Sequence, residues 1–319
     1  MGPVSEQGRG DSPNIGLVGC GRWGRHILRD LVALGARVTV VLPSDRNHAA
    51  AKAAGAADIV STVAALPNVR GIVVASPTTT HAAVLERVLQ RDVPVFVEKP
   101  LSDDPADASR LAAAAPDRLF VMHKWRYHPG VEALAGIARS GELGKVVGVR
   151  CTRIGWGNPH GDVDGIWMLA PHDISIALEI LGHIPAPRDA VAERIGATVT
   201  GLVAILGSDP WLAMDVSTAA GAQRREVRLI CTDGIATLAD AYSDQVIVTR
   251  GEVHASVRRE DTVRAVSDEL PLIRELRAFL EHLRGGPPPK SSAAEGLAEV
   301  EAIAALRRLA GLPTVSVIG

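Results

Sequence analysis

The sequence predicts an α/β protein, a doubly wound parallel sheet followed by a second domain, and three observations carry that prediction. Strand-like and helix-like segments alternate from residue 13 to residue 123 at the spacing of right-handed βαβ units. A glycine-rich turn, Gly19-Cys20-Gly21-Arg22-Trp23-Gly24, joins the first strand to the first helix. A short apolar run, Val93-Pro94-Val95-Phe96-Val97, ends in Glu98-Lys99-Pro100. In one parallel sheet, the turn and the lysine both lie at the carboxyl edge, where such sheets bind ligands.

The elements follow in order. Asn14-Ile15-Gly16-Leu17-Val18 is a short apolar strand. Residues 25–34 carry apolar side chains at 27, 28, 31, 32 and 34, a helical stripe, and Gly35 sits where a helix stops. Residues 38–42 are an unbroken β-branched and aliphatic run, as in a strand covered on both faces. Residues 49–57 read as an alanine-rich helix and 71–75 as a buried strand, broken by Ser76-Pro77-Thr78. A helix over 81–90, the strand into Lys99, a helix over 104–115 and a strand over 119–122 complete the alternation. Beyond it, residues 146–153, 197–206, 212–218, 226–231 and 245–249 read as strands. Pro171 suits the first turn of a helix that Gly182 ends, and 270–283 and 293–309 read as helices. There is no internal repeat.

With 319 residues, two domains are expected. Hydrophobic residues make up 47% and charged residues 22%, an ordinary globular composition. The 34 Lys and Arg nearly balance the 36 Asp and Glu, which gives no reason to expect nucleic acid or an acidic membrane as partner. No apolar run approaches the roughly 18 residues of a membrane helix. Residues 1–12 read as a disordered polar tail without a signal-peptide core, and Arg9-Gly10-Asp11 as a chance tripeptide within it. Cys20, Cys151 and Cys231 have no metal spacing and fit reduced thiols in a cytoplasm. No metal-ligand constellation is expected among the histidines.

In a dinucleotide-binding turn the first glycine permits the tight bend, the second admits a pyrophosphate and the third lets helix pack on strand. The helix amino terminus then meets the phosphates with free N–H groups and the positive end of its dipole. The acidic ribose ligand expected about 20 positions on is missing, because Pro43 stands there. Ser44 and Arg46 can instead meet a 2′-phosphate, which favours NADP, while Asp45 as a shifted ribose ligand keeps NAD open.

With these residues in hand, the chain resembles the Gfo/Idh/MocA oxidoreductase family (glucose-fructose oxidoreductase, inositol dehydrogenase and relatives) from about residue 13 to the end. The likeness rests on Gly19 to Gly24, Ser76-Pro77-Thr78 with His81, and Glu98-Lys99-Pro100-Leu101. It extends through Arg126-Tyr127-His128-Pro129, Ser140 to Lys145 and Pro171-His172-Asp173. The resemblance implies a Rossmann domain over 13–123 and a substrate-binding and oligomerisation domain over 124–319, with an open, mostly antiparallel sheet. A homo-oligomer, dimer or tetramer, is expected. Residues 167–181 look most like the branch acting on sugars and nucleotide sugars. The resemblance adds Ser76, Pro77, Thr78, His81 and Glu98 to the cofactor-binding set. It places Lys99 at the nicotinamide and the substrate, and makes His172 the acid/base.

Oxidising an alcohol with a nicotinamide takes a hydride from carbon and a proton from oxygen. Histidine, with an unperturbed pKa near 6.5, suits the proton step, and a lysine ammonium can stabilise charge on the same oxygen. The family usually carries an aspartate four residues before the histidine; this chain has Met168. On one helix, 168 and 172 share a face. A carboxylate there would fix the imidazole tautomer and raise its basicity, which a thioether cannot do. Asp173, Asp164 or Asp162 could substitute. Met168 therefore leaves three readings open: a sugar-type oxidoreductase, an imine or other C=X reductase, and a cofactor-binding sensor or scaffold without turnover. Trp167 or Trp156 can stack on a sugar or nicotinamide. Lys124, Arg126, Arg150 and Arg153 can meet a phosphorylated or nucleotide-linked substrate.

Overall fold

The computed structural model describes residues 12–159, 161–251 and 259–315. Nearly all of the expected amino-terminal tail, and His160, lie outside them. The first sheet is built from β1 (Asn14–Val18), β2 (Arg37–Val41), β3 (Asp58–Val60), β4 (Gly71–Val74), β5 (Val95–Glu98) and β6 (Leu119–Met122). Its order is β3-β2-β1-β4-β5-β6, and every pairing is parallel. The connecting helices are α1 (Arg22–Ala33), α2 (His48–Ala53), α3 (His81–Val88) and α4 (Pro105–Ala114). Strand order reverses between β1 and β4, so the crevice of a doubly wound fold opens above their carboxyl ends. Strands β4, β5 and β6 are almost wholly buried, which is why they read as continuous apolar runs rather than alternating ones.

The second half begins with α5 (Pro129–Ser140), β7 (Val146–Trp156) and α6 (Gly165–Leu181). It continues with β8 (Pro187–Ile195), β9 (Thr198–Gly207), β10 (Trp211–Ser217), β11 (Ala219–Cys231), β12 (Gly234–Leu238), β13 (Gln245–Gly251) and β14 (Arg259–Ala265). These strands form one sheet, β14-β13-β12-β11-β7-β10-β9-β8, antiparallel except for β7 against β10. Helices α5 and α6 cover its inner face.

Two helices then return towards the first sheet. α7 (Pro271–His282) lays Leu272, Leu276, Phe279 and Leu280 into the same apolar cluster as Ile15, Leu17 and Phe96, and Phe96 stacks on Phe279 at 5.0 Å. α8 (Ala293–Leu309) opens with a capping box between Ser292 and Glu295 and packs on α4, α6 and β6. Gly296 lets it approach closely, since a Cβ there would sit 2.5 Å from Val121. The apolar packing thus does not divide at a single point near residue 123.

The structure corrects several expected elements. Pro171 is inside α6, not in its first turn; the helix starts six residues earlier, capped by Asp164. Proline there removes the backbone bond to Trp167 one turn back. The sequence reading missed α5, β3, β8, β12 and β14. β8 and β14 are largely exposed edge strands, so they carry little hydrophobic alternation to read.

Candidate active site

The three glycines of the turn meet three different surroundings. Gly19 has φ +91°, and a Cβ there would lie 2.6 Å from the carbonyl oxygen of Ala75 at the end of β4. A Cβ on Gly24 would lie 2.8 Å from the carbonyl oxygen of Gly19, so α1 rests on the turn. A Cβ on Gly21 would meet nothing within 4 Å. Gly21 is also the N-cap of α1, gives no side-chain cap, and is followed by no acidic residue in the first turn. Open space, uncapped amides and a positive dipole end make a fit for the pyrophosphate of a dinucleotide.

This turn forms one end of a cleft of about 2150 Å³ whose wall runs from the carboxyl edge of the first sheet to the second sheet. Ser44, Arg46 and Arg22 line the end beyond β2, where the ribose of a dinucleotide would lie. Asp45 is not part of the cleft wall; its side chain is 97% exposed and pairs with His48 at 3.4 Å. Cys20 lies in the turn but its side chain is buried, and burial raises its thiol pKa.

Ser76, Pro77 and Thr78 follow β4 along the cleft wall. His81 is buried beneath them. Its ring nitrogens lie 2.9 Å from Pro100 O and 3.1 Å from Ser76 O, so it ties the loop after β4 to the loop after β5. Burial lowers its pKa. Glu98 accepts a hydrogen bond from the Trp23 indole N–H, and the Lys124 ammonium sits 4.3 Å over the Trp23 ring. Burial raises the Glu98 pKa against the pull of Lys99, and lowers that of Lys124 to about 8.

Lys99, at the end of a strand of the first sheet, and His172, on helix α6, both reach this cleft. Lys99 follows β5, and its Nζ donates to the Met168 carbonyl on α6 at 2.9 Å. His172 lies one helical turn on, also on the cleft wall. Burial pushes its pKa well below the ordinary value, and Lys99, Arg153 and Lys124 push in the same direction. The imidazole is therefore neutral at pH 7 and can accept a proton, though as a weak base. Its Nδ1 is buried with no protein partner among the described residues. None of the three proposed substitutes for the missing aspartate reaches it. Asp173 pairs with Arg153 at 2.6 Å, Asp164 caps α6 and pairs with Arg307 at 2.7 Å, and Asp162 accepts from the Thr79 N–H at 3.2 Å.

Of the expected substrate ligands, Lys124, Met168 and His172 line the cleft; Arg126, Arg153 and Trp167 do not. Trp167 is fully buried, under Arg307 at 6.0 Å. Arg126 is held by Glu179, Glu295 and Ser291. Arg153 lies over the Trp125 ring at 4.2 Å while paired with Asp173. Arg150 is exposed on β7 and absent from the wall. Trp156, by contrast, is 80% exposed and lines the cleft. The sequence reading missed Gln223 and Arg225, which the second sheet brings to the same wall. The available signal was a charge at 225, in step with apolar Val227 and Leu229 on one strand face. Among the described residues no group of three or more His, Cys, Asp or Glu could hold a metal ion, and no helix is long and apolar enough to cross a membrane.

Comparison with known proteins agrees with this geometry. Residues 13–123 match the Gfo/Idh/MocA family, described as an oxidoreductase family with an NAD-binding Rossmann fold. Inositol 2-dehydrogenase of Streptomyces avermitilis is 28% identical over 89% of this chain and 88% of its own. UDP-N-acetylglucosamine 3-dehydrogenase of Acidithiobacillus ferrooxidans is 29% identical over 55% of this chain and 56% of its own. The solved structure of the latter superposes with a TM-score of 0.79, covering 93% of this chain and 97% of that one at 22% identity. A 3-ketoreductase from Actinomadura kijaniata, solved with TDP-benzene and NADP, superposes with a TM-score of 0.80 at 20% identity, covering 93% and 97%. At such identities the superpositions show a shared fold. Residues 13–123 thus match the NAD-binding Rossmann domain of the Gfo/Idh/MocA oxidoreductase family, and the similarity to a named dehydrogenase continues over most of the chain.

Proposed function

We propose that this protein transfers a hydride between a nicotinamide cofactor and a sugar-like alcohol or ketone, free or nucleotide-linked, with Lys99 and His172 at the reacting oxygen. The observation that carries this reading is the single cleft joining the open side of Gly21 to Lys99 and His172. When bound, the nicotinamide supplies or accepts the hydride. The protein's part is to orient and to move one proton. His172, neutral at pH 7, takes the hydroxyl proton in oxidation and returns it in reduction. The Lys99 ammonium, anchored on the Met168 carbonyl, stabilises negative charge on the same oxygen. Glu98 and Trp23 hold one another beside that lysine. Ser44 and Arg46 at the far end favour NADP over NAD.

A second reading rests on Met168. With no carboxylate on His172 among the described residues, the same cleft suits an imine or other C=X reductase, or a cofactor-binding protein without turnover. The outer face of the second sheet exposes Val191, Val203 and Ile205, which supports a homo-oligomer formed through that face. Three free, buried cysteines suit a reducing cytoplasm.

The test is titration with NADH and NADPH, followed by nicotinamide absorbance during a screen of sugars, inositols, nucleotide sugars and amine substrates. NADPH binding with sugar-dependent turnover that His172→Ala abolishes is expected. Cofactor binding with turnover only on amines, or with none, moves the assignment to the second reading. Failure to bind either cofactor overturns both.

A further inference from the structure

Arg225 lies on the cleft wall without a carboxylate of its own among the described residues. The register places Arg225 of β11 directly opposite Arg153 of β7. Both occupy inward positions: Arg225 shares its strand face with buried Val227 and Leu229, and Arg153 with buried Cys151 and Val149. Like charges directly opposite on one face destabilise a sheet. Arg153 is paired with Asp173 at 2.6 Å, though its charge still acts on Arg225. Arg225 has no such partner among the described residues. Its Nη1 donates to the carbonyls of Ile154 at 2.6 Å and Arg224 at 3.1 Å. Among the described residues no carboxylate lies within 4.0 Å of it, and Asp173 and Asp240 act on it only from further away. Guanidinium does not lose its proton in proteins, so the charge stays. A local rule broken without compensation inside a fold marks a functional position more often than a structural one.

We infer that Arg225 binds an anionic group of the substrate, a phosphate or a carboxylate, and that exposed Trp156 stacks on the ring beside it. Among the described residues Nε and Nη2 make no protein hydrogen bond, and together they form the edge of the fork that grips two oxygens of either anion. Gln223 and Lys124 line the same wall. A neutral polyol would leave the Arg153–Arg225 repulsion uncompensated; an anion removes it. The inference rests on the reading of this cleft as a sugar oxidoreductase site and narrows its substrate to an acidic one.

The experiment compares wild type with Arg225→Gln by calorimetry at saturating cofactor, using UDP-N-acetylglucosamine, D-glucuronate and neutral myo-inositol. One anionic probe is expected to bind, with Kd rising about ten-fold or more in the variant, the loss of a charge-assisted contact. Affinity for myo-inositol stays unchanged. Preference for the nucleotide sugar names a phosphate; preference for glucuronate names a carboxylate. Equal binding of the anions to both proteins, or no anion binding to wild type, overturns the inference. The melting temperature of the ligand-free variant should equal or exceed that of wild type, because a repulsion is removed. A clear fall would assign Arg225 to holding β7 and β11 together and would also overturn it. Cofactor titration of the same samples separates the two levels. Cofactor binding without anion preference sinks only this inference, whereas loss of cofactor binding by wild type sinks the oxidoreductase reading.

Discussion

Alanine at each of two glycines should separate stability from cofactor binding. At Gly19 the backbone has φ +91°, and an added Cβ meets the Ala75 carbonyl oxygen at 2.6 Å. The left-handed conformation costs an L-residue about 1–2 kcal/mol. Pressing on backbone that cannot swing away adds about 1–3 kcal/mol. Gly19→Ala should therefore lower the melting temperature on the order of 5–15 °C. At Gly21 the backbone is extended, φ −72° and ψ −159°, and the new Cβ meets nothing. The weaker N-cap and the stiffer unfolded chain nearly cancel, so Gly21→Ala should melt within about 2 °C of wild type. The same methyl projects from the N-cap of α1, where a pyrophosphate must approach the amides. Losing one charge-assisted hydrogen bond of about 1.5–3 kcal/mol weakens cofactor binding about ten- to hundred-fold. Scanning calorimetry and NAD(P)H fluorescence titration read the two quantities on the same samples. A Gly21→Ala protein that binds cofactor like wild type would falsify the placement of the pyrophosphate. A Gly19→Ala protein that melts like wild type would refute the strain argument.

Three further perturbations test other parts of the cleft and the sheet. Met168→Asp puts a carboxylate one turn before His172, which favours the imidazolium and raises its depressed pKa. The acid limb of kcat/KM for alcohol oxidation should move to higher pH, and an unmoved limb would show that 168 and 172 do not communicate. Glu275 is buried in α7 with both carboxyl oxygens lacking a protein partner among the described residues, and burial raises its pKa well above the ordinary value. Between the unfolded pKa near 4.5 and the raised folded one, only the unfolded chain has lost the proton, so this group's contribution to stability falls as pH rises. Glu275→Leu should stabilise the protein at pH 8 by on the order of 1–3 kcal/mol, with the gain shrinking towards pH 4.5; chemical denaturation at the two pH values checks this, and a loss at pH 8 would refute it. Val203→Lys with Ile205→Lys places charge on the exposed apolar face and should shift sedimentation to the monomer; an unchanged sedimentation coefficient would rule that face out as the interface.

The Rossmann half was legible because its signals are local. β1, α1 and the glycine turn lie within about twenty consecutive residues; the turn needs glycine where φ is +91° and where a Cβ would strike Ala75 or Gly19. Buried parallel strands such as β4 and β5 announce themselves as apolar runs. Lys99 at the end of β5 follows from the same logic. The second half was less legible, since its edge strands β8 and β14 are largely exposed and carry little hydrophobic alternation.

What the sequence by itself determined was the class of the first domain, the turn shaped for a dinucleotide and the residue types able to do proton chemistry. Tertiary structure alone decided which charges meet. It buried Trp167 in the core, spent Arg126 and Arg153 on carboxylates, and sent Asp162, Asp164 and Asp173 to partners other than His172. It also set Arg225, without a carboxylate partner among the described residues, on the wall of the cleft, because β11 pairs with a strand some seventy residues earlier in the chain. The physical reason is range. Backbone conformation and hydrophobic period are written in neighbouring residues, whereas the partner of a charge is fixed by the register of strands far apart in sequence.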